Sequence, residues 1–209
     1  MTGTPVLPPI KTAVLVVDMQ NDFCHPEGAF VAGGRDVSTA IAMAPRLESF
    51  LNEARAHRVH VVFIRTTHDE TTDTKVWLER TSRARATKPS TCRTDTWGAD
   101  FYQVSPKSGE PVIVKHRYSA FTETSLNIVL RAAGITSLLV TGVATEVCVE
   151  STLRDGLSHD YHMTLVEDCC ASYSEDAHNQ TIANVRDNFG FVVNSEDIRS
   201  AWRQDFLET

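Results

Sequence analysis

One cysteine, Cys148, comes where a buried strand turns sharply into a helix. The stretch LLVTGVATEVCVESTLRDG, residues 138–156, begins as an apolar run and continues with a helical pattern after a segment of glycine and β-branched residues. A helix start offers unpaired N–H groups and a partial positive charge, which stabilise a thiolate and the oxyanion of a carbonyl under attack. Cys148 is therefore a candidate nucleophile, and the alternative is a small buried core residue.

Two other ionisable residues, Asp18 and Lys115, also come at the ends of apolar runs. Asp18 ends the run TAVLVVD, and Lys115 ends PVIVK. In a parallel sheet the ligand site lies outside the carboxyl ends of the strands. The sequence therefore predicts that Asp18, Lys115 and Cys148 meet at one edge of a sheet. Taken singly, Asp18 could cap a loop and Lys115 could be a solvated strand end.

Strand-like and helix-like patterns alternate along the rest of the sequence. Short β-branched apolar runs predict strands, and apolar residues with helical spacing predict helices. The predicted strands are residues 12–18, 59–65, 111–115, 135–140, 161–166 and 190–193. The predicted helices are residues 36–58, residues 122–133, a helix after Cys148, a helix from Ser172 or Ser174 to near Gly190, and a short helix from Ser195. Residues 66–109 show a weaker pattern, with one possible helix at 76–84. The alternation predicts an α/β fold with helices on both faces of a parallel sheet.

The composition is that of a globular protein of one domain. The chain has 209 residues, of which 42% are hydrophobic, and we expect a single domain over residues 1–209 with a flexible leader at 1–10. A net charge of -7 argues against nucleic acid or an anionic membrane as a general partner. No apolar run has signal-peptide or membrane length, and five cysteines without C-x-x-C spacing fit a reducing compartment. We expect a soluble, cytoplasmic protein.

Three segments of the sequence carry a resemblance to a known family. They are VVDMQNDF at 16–23, KHRYSAFTETSL at 115–126 and TGVATEVCVESTLRDG at 141–156. In this order they resemble the signature segments of the isochorismatase-like cysteine hydrolases, which include nicotinamidases, N-carbamoylsarcosine amidases and ureidoacrylate amidohydrolases. The resemblance covers roughly residues 10–195. It implies a Rossmann-like three-layer α/β/α fold with a six-stranded, mostly parallel sheet, and assembly as a homodimer or homotetramer.

The resemblance also implies a catalytic triad of Asp18, Lys115 and Cys148. Asp18 takes the thiol proton, Lys115 stabilises the ion pair, and the thiolate attacks a carbonyl carbon. The backbone N–H groups of Ala144 and Cys148 hold the oxyanion, and a non-proline cis peptide bond is expected before Ala144. The expected reaction is cleavage of a linear C–N bond in a small amide, carbamoyl or ureido compound. It passes through a thioester and releases ammonia or an amine.

No metal and no cofactor are expected. Nicotinamidases of the family carry a D-x-H-x-H-like metal cluster just after the second strand. This chain has RTTHDETTD there, with only His68, Asp69 and Glu70 as ligand types. The resemblance is therefore closest to the ureidoacrylate and N-carbamoyl amidohydrolases, and the expected substrate is a small amide or ureide.

Five side chains near the predicted site are candidates for binding the substrate. They are Phe23, Trp97, Arg117, Tyr118 and Phe121. Packing of loops onto the core is the alternative for the aromatic residues. The guanidinium of Arg117 matches a substrate carboxylate, although a solvated ion pair is an equal alternative. Glu146 is expected to cap the Cys148 helix rather than to face the substrate.

Two other functions are compatible with the resemblance. The first is the isochorismatase reaction, hydrolysis of a vinyl ether with Asp18 as the acid, which leaves Cys148 idle. The second is a catalytically silent family member that serves as an oligomeric interaction module. An intact set of three ionisable groups argues against the second function, because a scaffold does not need them together.

Overall fold

The computed structural model describes residues 7–80 and 91–207 and contains one six-stranded sheet. The strands are β1 (Thr12–Val17), β2 (His60–Thr66), β3 (Val112–Lys115), β4 (Ser137–Val143), β5 (His162–Ala171) and β6 (Phe191–Val193). Their order across the sheet is β3-β2-β1-β4-β5-β6, and every neighbouring pair is parallel. The prediction of a six-stranded parallel sheet is confirmed.

Helices of varied length connect the strands. They are α1 (Asn21–Cys24), α2 (Ala29–Ala32), α3 (Ser38–Ala56), α4 (Lys75–Leu78), α5 (Leu126–Ala132), α6 (Glu150–Ser158), α7 (Glu175–Asn188) and α8 (Ser195–Leu207). Short 3-10 segments occur at Pro9–Lys11 and Trp97–Ala99, and a π-helical turn at Thr145–Val149 leads into α6. None of the helices in the described ranges is long and apolar enough to cross a bilayer.

The sheet lies between two helical layers, because the side chains of its central strands alternate between two apolar faces. One face packs against α3 and α8, where the rings of Phe50 and Trp202 stack with centroids 5.6 Å apart. The other face packs against α5, α6 and α7 through Leu126, Leu153 and Val185. The whole of β1 is buried, since it lies between β2 and β4 and is covered on both faces. The three-layer α/β/α fold is confirmed.

Helix α5 begins later than the sequence predicts, at Leu126 rather than Thr122. The hydroxyl of Thr124 donates to the Ala120 carbonyl at 2.5 Å and accepts from the Leu126 N–H at 3.2 Å. Glu123 has a positive φ of 55°. Because a threonine hydroxyl offers the backbone an alternative to helical bonding, these residues form turns instead.

Strand β5 extends beyond the predicted residues 161–166 to Ala171. Its last residues pair again with β4 after a register shift between Val140 and Gly142. The extension places Asp168 within the strand, where its carboxylate accepts from the N–H and the hydroxyl of Ser195, both at 2.7 Å. These two bonds fix the start of α8, which is longer than the short helix predicted.

Two predicted segments lie partly outside the described residues. The possible helix at 76–84 corresponds in its described part to α4, and residues 81–84 lie outside the description. Of the leader at 1–10, the described part includes Leu7, which is buried and accepts a hydrogen bond from the Trp202 indole at 3.3 Å.

Candidate active site

The structure brings Asp18, Lys115 and Cys148 together at the carboxyl edge of the sheet. Asp18 directly follows β1, Lys115 ends β3, and Cys148 lies in the π-helical turn after β4. The Lys115 Nζ lies 2.8 Å from Asp18 Oδ2 and 3.4 Å from Cys148 Sγ. The side chains of Asp18 and Lys115 are both only 1% exposed. A thiol, a carboxylate and an ammonium thus share one buried site.

Asp18 reaches this position because the chain leaves the sheet at that residue. Its N–H donates to the Ile64 carbonyl at 3.0 Å, as the next pairing of β1 with β2 requires. Its φ of +51° then turns the chain away from the sheet. A short polar residue tolerates this left-handed conformation better than most.

Thr66 connects the aspartate and the lysine and was not singled out from the sequence. It ends β2, which lies between β1 and β3, so its hydroxyl stands between the residues that end those strands. The Thr66 hydroxyl donates to Asp18 Oδ1 at 2.9 Å and accepts from Lys115 Nζ at 2.7 Å. No composition or spacing signal distinguishes a threonine in this role from an ordinary strand residue.

Gln20 fixes the backbone around Thr66. Its amide oxygen accepts from the Thr66 N–H at 2.8 Å, and its amide nitrogen donates to the Thr66 carbonyl at 2.8 Å and to the Ala99 carbonyl at 2.9 Å. The side chain is fully buried. Gln20 therefore ties the end of β2 to the 3-10 segment Trp97–Ala99.

The Lys115 ammonium has more acceptors within reach than protons to donate. Its Nζ contacts Asp18 Oδ2 and Cys148 Sγ, and also donates to Thr66 Oγ1 and to the Arg117 carbonyl at 3.0 Å. Burial alone would lower the pKa of Lys115, but the negative charge of Asp18 and the Cys148 sulfur raise it above its usual value. Lys115 is therefore a cation at neutral pH.

The surroundings of the Cys148 thiol favour its protonated form. Burial raises the pKa of Cys148 above that of a free cysteine, and the Asp18 carboxylate raises it further, whereas Lys115 lowers it. A thiolate would add a second negative charge to a buried site in which one ammonium already balances one carboxylate. A favourable helix start therefore does not suffice to ionise this thiol.

The backbone next to Cys148 has the conformation that the resemblance implies. The peptide bond between Val143 and Ala144 is cis. The Ala144 carbonyl accepts from the N–H groups of Val147 and Val149 at 3.0 and 3.2 Å. The Ala144 N–H donates no hydrogen bond to another described residue. Cys148 lies within the first turn of the helical stretch, as predicted, but that turn is π-helical.

Glu146 does not cap the helix, and that expectation is wrong. Its side chain makes no capping hydrogen bond, and Oε2 is buried without a partner among the described residues. The nearby Thr145 hydroxyl instead lies 2.8 Å from Nδ1 of His178.

The five candidate substrate-binding residues lie in different surroundings. Phe23 packs edge to face against Phe30, with ring centroids 4.8 Å apart, and the Tyr173 hydroxyl donates to the Phe23 carbonyl at 3.0 Å. Trp97 is 48% exposed and meets the His25 ring at 5.0 Å. Of these two, Trp97 presents more surface to a ligand.

Arg117 and Tyr118 lie next to Lys115, whereas Phe121 lies in the core. Nη1 of Arg117 donates to the His116 carbonyl at 2.7 Å and to the Thr72 carbonyl at 3.3 Å. The Tyr118 ring packs 4.8 Å from the Trp77 ring. By contrast, the Phe121 ring is buried against His159 and Tyr161, at 5.0 and 5.9 Å, in the core on the α5–α6 face.

Residues 12–197 match the isochorismatase domain family, and the chain belongs to this family. Its relatives include ureidoacrylate amidohydrolases RutB. The enzyme from Pantoea ananatis is 34% identical over 88% of this chain and 79% of the relative. The enzyme from Azorhizobium caulinodans is 34% identical over 93% of this chain and 91% of the relative.

Solved structures show the same fold. A cysteine hydrolase from Pseudomonas syringae pv. phaseolicola is 27% identical with a TM-score of 0.80, over 98% of this chain and 99% of the other. An isochorismatase-like hydrolase from Alkaliphilus metalliredigens is 28% identical with a TM-score of 0.78, over 92% of this chain and 98% of the other.

The residues at the place where nicotinamidases carry their metal cluster do not form a ligand set here. Nδ1 of His68 faces Asp73 Oδ1 at 3.4 Å, and burial lowers the pKa of His68 to about 4. The Asp69 carboxylate accepts from the Thr71 and Thr94 hydroxyls at 2.6 and 2.9 Å. Across the described ranges, no three His, Cys, Asp or Glu side chains converge as metal ligands.

Proposed function

We propose that this protein is a metal-independent cysteine amidohydrolase that cleaves a linear C–N bond of a small ureido or carbamoyl acid. The observation that carries the proposal is the contact of the Cys148 sulfur with a lysine that is itself paired with Asp18, in a buried site. The ureidoacrylate amidohydrolases among the relatives support an amidohydrolase with a ureide as substrate. The chain acts on a carbon–nitrogen bond that is not a peptide bond.

In the first half of the reaction, Cys148 loses its proton to Asp18 and attacks the carbonyl carbon. The new C–S bond forms as the carbonyl π electrons move to the oxygen. The N–H groups of Ala144 and Cys148 hold this oxyanion, and the unused donor of Ala144 supports that role. When the intermediate collapses, the C–N bond breaks and the leaving nitrogen takes the proton from Asp18. An acyl group remains on the sulfur as a thioester.

In the second half, Asp18 accepts a proton from water and the resulting hydroxide attacks the acyl carbon. The C–S bond then breaks, and the sulfur regains a proton from Asp18. Lys115 stays charged throughout, while the negative charge moves among Asp18, the Cys148 sulfur and the oxyanion and returns to Asp18. Each residue ends the cycle in its starting protonation state.

We expect the enzyme to act as a homodimer or homotetramer, which light scattering in solution tests.

The experiment is a screen of small amides and ureides for ammonia release, with Cys148→Ala as the blank. We expect wild-type turnover of at least one ureido acid, no turnover by the variant, and an acyl adduct on Cys148 detectable by mass spectrometry with a slow substrate. Turnover that persists in the Cys148→Ala protein would refute the mechanism. Pyruvate release in a separate assay with isochorismate would favour vinyl-ether hydrolysis by Asp18.

A further inference from the structure

Two arginines and two aromatic rings form a cluster beside the catalytic lysine. This arginine–aromatic cluster comprises Trp77, Arg80, Arg117 and Tyr118. It adjoins the site directly, because the carbonyl of Arg117 accepts a hydrogen bond from Lys115 Nζ at 3.0 Å. The guanidinium carbons of Arg80 and Arg117 lie 3.9 and 5.0 Å from the centroid of the Trp77 ring. The cluster therefore concentrates positive charge next to the site in a protein whose net charge is -7.

Arg80 is exposed, yet its guanidinium is held in one place. Nε donates to the Tyr118 hydroxyl at 2.8 Å, Nη1 donates to the Trp77 carbonyl at 2.6 Å, and the group stacks on the Trp77 ring. An arginine has five N–H groups. Three of them, one on Nη1 and both on Nη2, make no hydrogen bond to a described residue. They belong to the end of the guanidinium that can bind a carboxylate with two parallel hydrogen bonds.

Arg80 also differs from several other arginines in its electrostatic partners. Arg55, Arg93 and Arg154 each form an ion pair with a carboxylate. Arg80 forms none with any carboxylate in the part of the chain that the structure describes. Its positive charge is therefore available to an anion from solution.

The sequence also suggests Arg117 for this role, and the hydrogen bonds of its side chain go to the backbone. Its Nη1 donates to two backbone carbonyls, those of His116 and Thr72. These bonds connect the turn after β3 with the segment that follows β2, and they support the carbonyl that Lys115 uses. Arg117 is thus placed to position the backbone near Lys115.

We propose that Arg80, with the hydroxyl of Tyr118, binds the carboxylate of the substrate and selects ureido acids over neutral ureas. The inference rests on the proposed function, because that function places the scissile bond at Cys148. The ability of the cluster to bind a carboxylate does not depend on it. A guanidinium held on an aromatic face recognises a carboxylate by charge and by shape. The Tyr118 hydroxyl accepts from Arg80, so its own proton remains to be donated to the same anion.

The test compares an acid with a neutral urea of similar length. The two probes are 3-ureidopropionate and N-butylurea. We expect Arg80→Met to raise the KM for 3-ureidopropionate about 10- to 100-fold, the effect of losing hydrogen bonds to a charged group. The KM for N-butylurea should change less than about twofold, as for an ordinary surface substitution. Arg80→Lys keeps the positive charge but cannot form two parallel hydrogen bonds to a carboxylate, and it should give an intermediate KM for 3-ureidopropionate.

A matched control is Arg154→Met. The Arg154 guanidinium also stacks on an aromatic ring, that of Phe189 at 4.0 Å, but it lies on the exposed surface of α6. We expect this variant to keep the wild-type KM for both probes. If Arg80→Met raises the KM of both compounds equally, or of neither, Arg80 has at most a structural role and the proposal is wrong.

A binding measurement separates this inference from the proposed function. Calorimetric titration of 3-ureidopropionate into the Cys148→Ala protein, with and without Arg80→Met, needs no turnover. Binding that depends on Arg80, in an enzyme whose wild type releases no ammonia, would support the carboxylate site and refute the proposed function. Turnover of 3-ureidopropionate that is unaffected by Arg80→Met would support the proposed function and refute the carboxylate site. Absence of binding by either protein would overturn the carboxylate site.

Discussion

Replacement of Thr66 by valine tests whether the Asp18–Lys115 pair must be held in place for catalysis. Valine has nearly the shape of threonine and lacks the hydroxyl that donates to Asp18 Oδ1 and accepts from Lys115. Lys115 can tolerate this loss, because three acceptors remain for its three protons. Asp18 Oδ1 instead loses a buried hydrogen bond to a charged group, which costs about 1.5–3 kcal/mol.

We expect Thr66→Val to lower kcat for ammonia release by about 10- to 100-fold, the rate equivalent of that free energy if the bond is needed in the transition state. Thr66→Ser restores the hydroxyl and should recover most of kcat. The matched control is Thr164→Val in β5, where the threonine is also buried but its hydroxyl has no partner among the described residues. That variant should keep wild-type kcat.

The assay is steady-state ammonia release, with the thermal unfolding midpoint measured for every variant. A loss of stability alone would leave kcat at low temperature unchanged, so the two readouts separate positioning from folding. If Thr66→Val keeps kcat within about twofold of wild type, as Thr66→Ser and Thr164→Val are expected to do, the Thr66 hydroxyl does not position Asp18 and the reasoning fails.

Two further predictions concern buried charges. Lys115→Met should abolish activity and destabilise the fold by about 3–5 kcal/mol, because the substitution leaves the Asp18 carboxylate buried without its cation. Chemical denaturation measures the loss of stability, and an unchanged denaturation midpoint would contradict this prediction. Because of His68, the free energy of unfolding should decrease as the pH is lowered from about 6.5 to about 4. Burial lowers the pKa of His68 to about 4 in the folded protein, whereas in the unfolded chain the imidazole takes up its proton already near pH 6.5. His68→Gln should flatten that part of the stability–pH curve, and a variant curve parallel to wild type would refute the assignment.

The three central residues of the site could be predicted because each ends a strand or follows one closely. Asp18 and Lys115 end β-branched runs, and Cys148 follows one closely. In a parallel sheet these ends lie at the same edge whatever the order of the strands, so the shared edge could be predicted without the topology, whereas contact between the side chains depends on the strand order. The same regularity made the fold predictable, since alternating strand and helix patterns leave few arrangements other than a parallel sheet covered on both faces.

The residues that hold the site in place could not be predicted, because they depend on the strand order. Thr66 bridges Asp18 and Lys115 only because β2 lies between β1 and β3. Gln20 supports Thr66 through contacts with residues 46 and 79 positions away along the chain. Likewise, Arg80 lies in a stretch without clear periodicity, and its position follows from contacts with a tryptophan and a tyrosine.

The charges in the site explain how a thiol with a raised pKa can serve as a nucleophile in the proposed mechanism. At rest the Lys115 ammonium balances the Asp18 carboxylate, so a thiolate formed by loss of a proton to solvent would leave the site with excess negative charge. Transfer of that proton to Asp18 instead moves the negative charge from one contact of Lys115 to another. The net charge of the buried site does not change, so the desolvation penalty that raises the thiol pKa is largely avoided. The contact of Lys115 with both groups is what makes this exchange possible, and Thr66 helps to hold Asp18 beside the lysine.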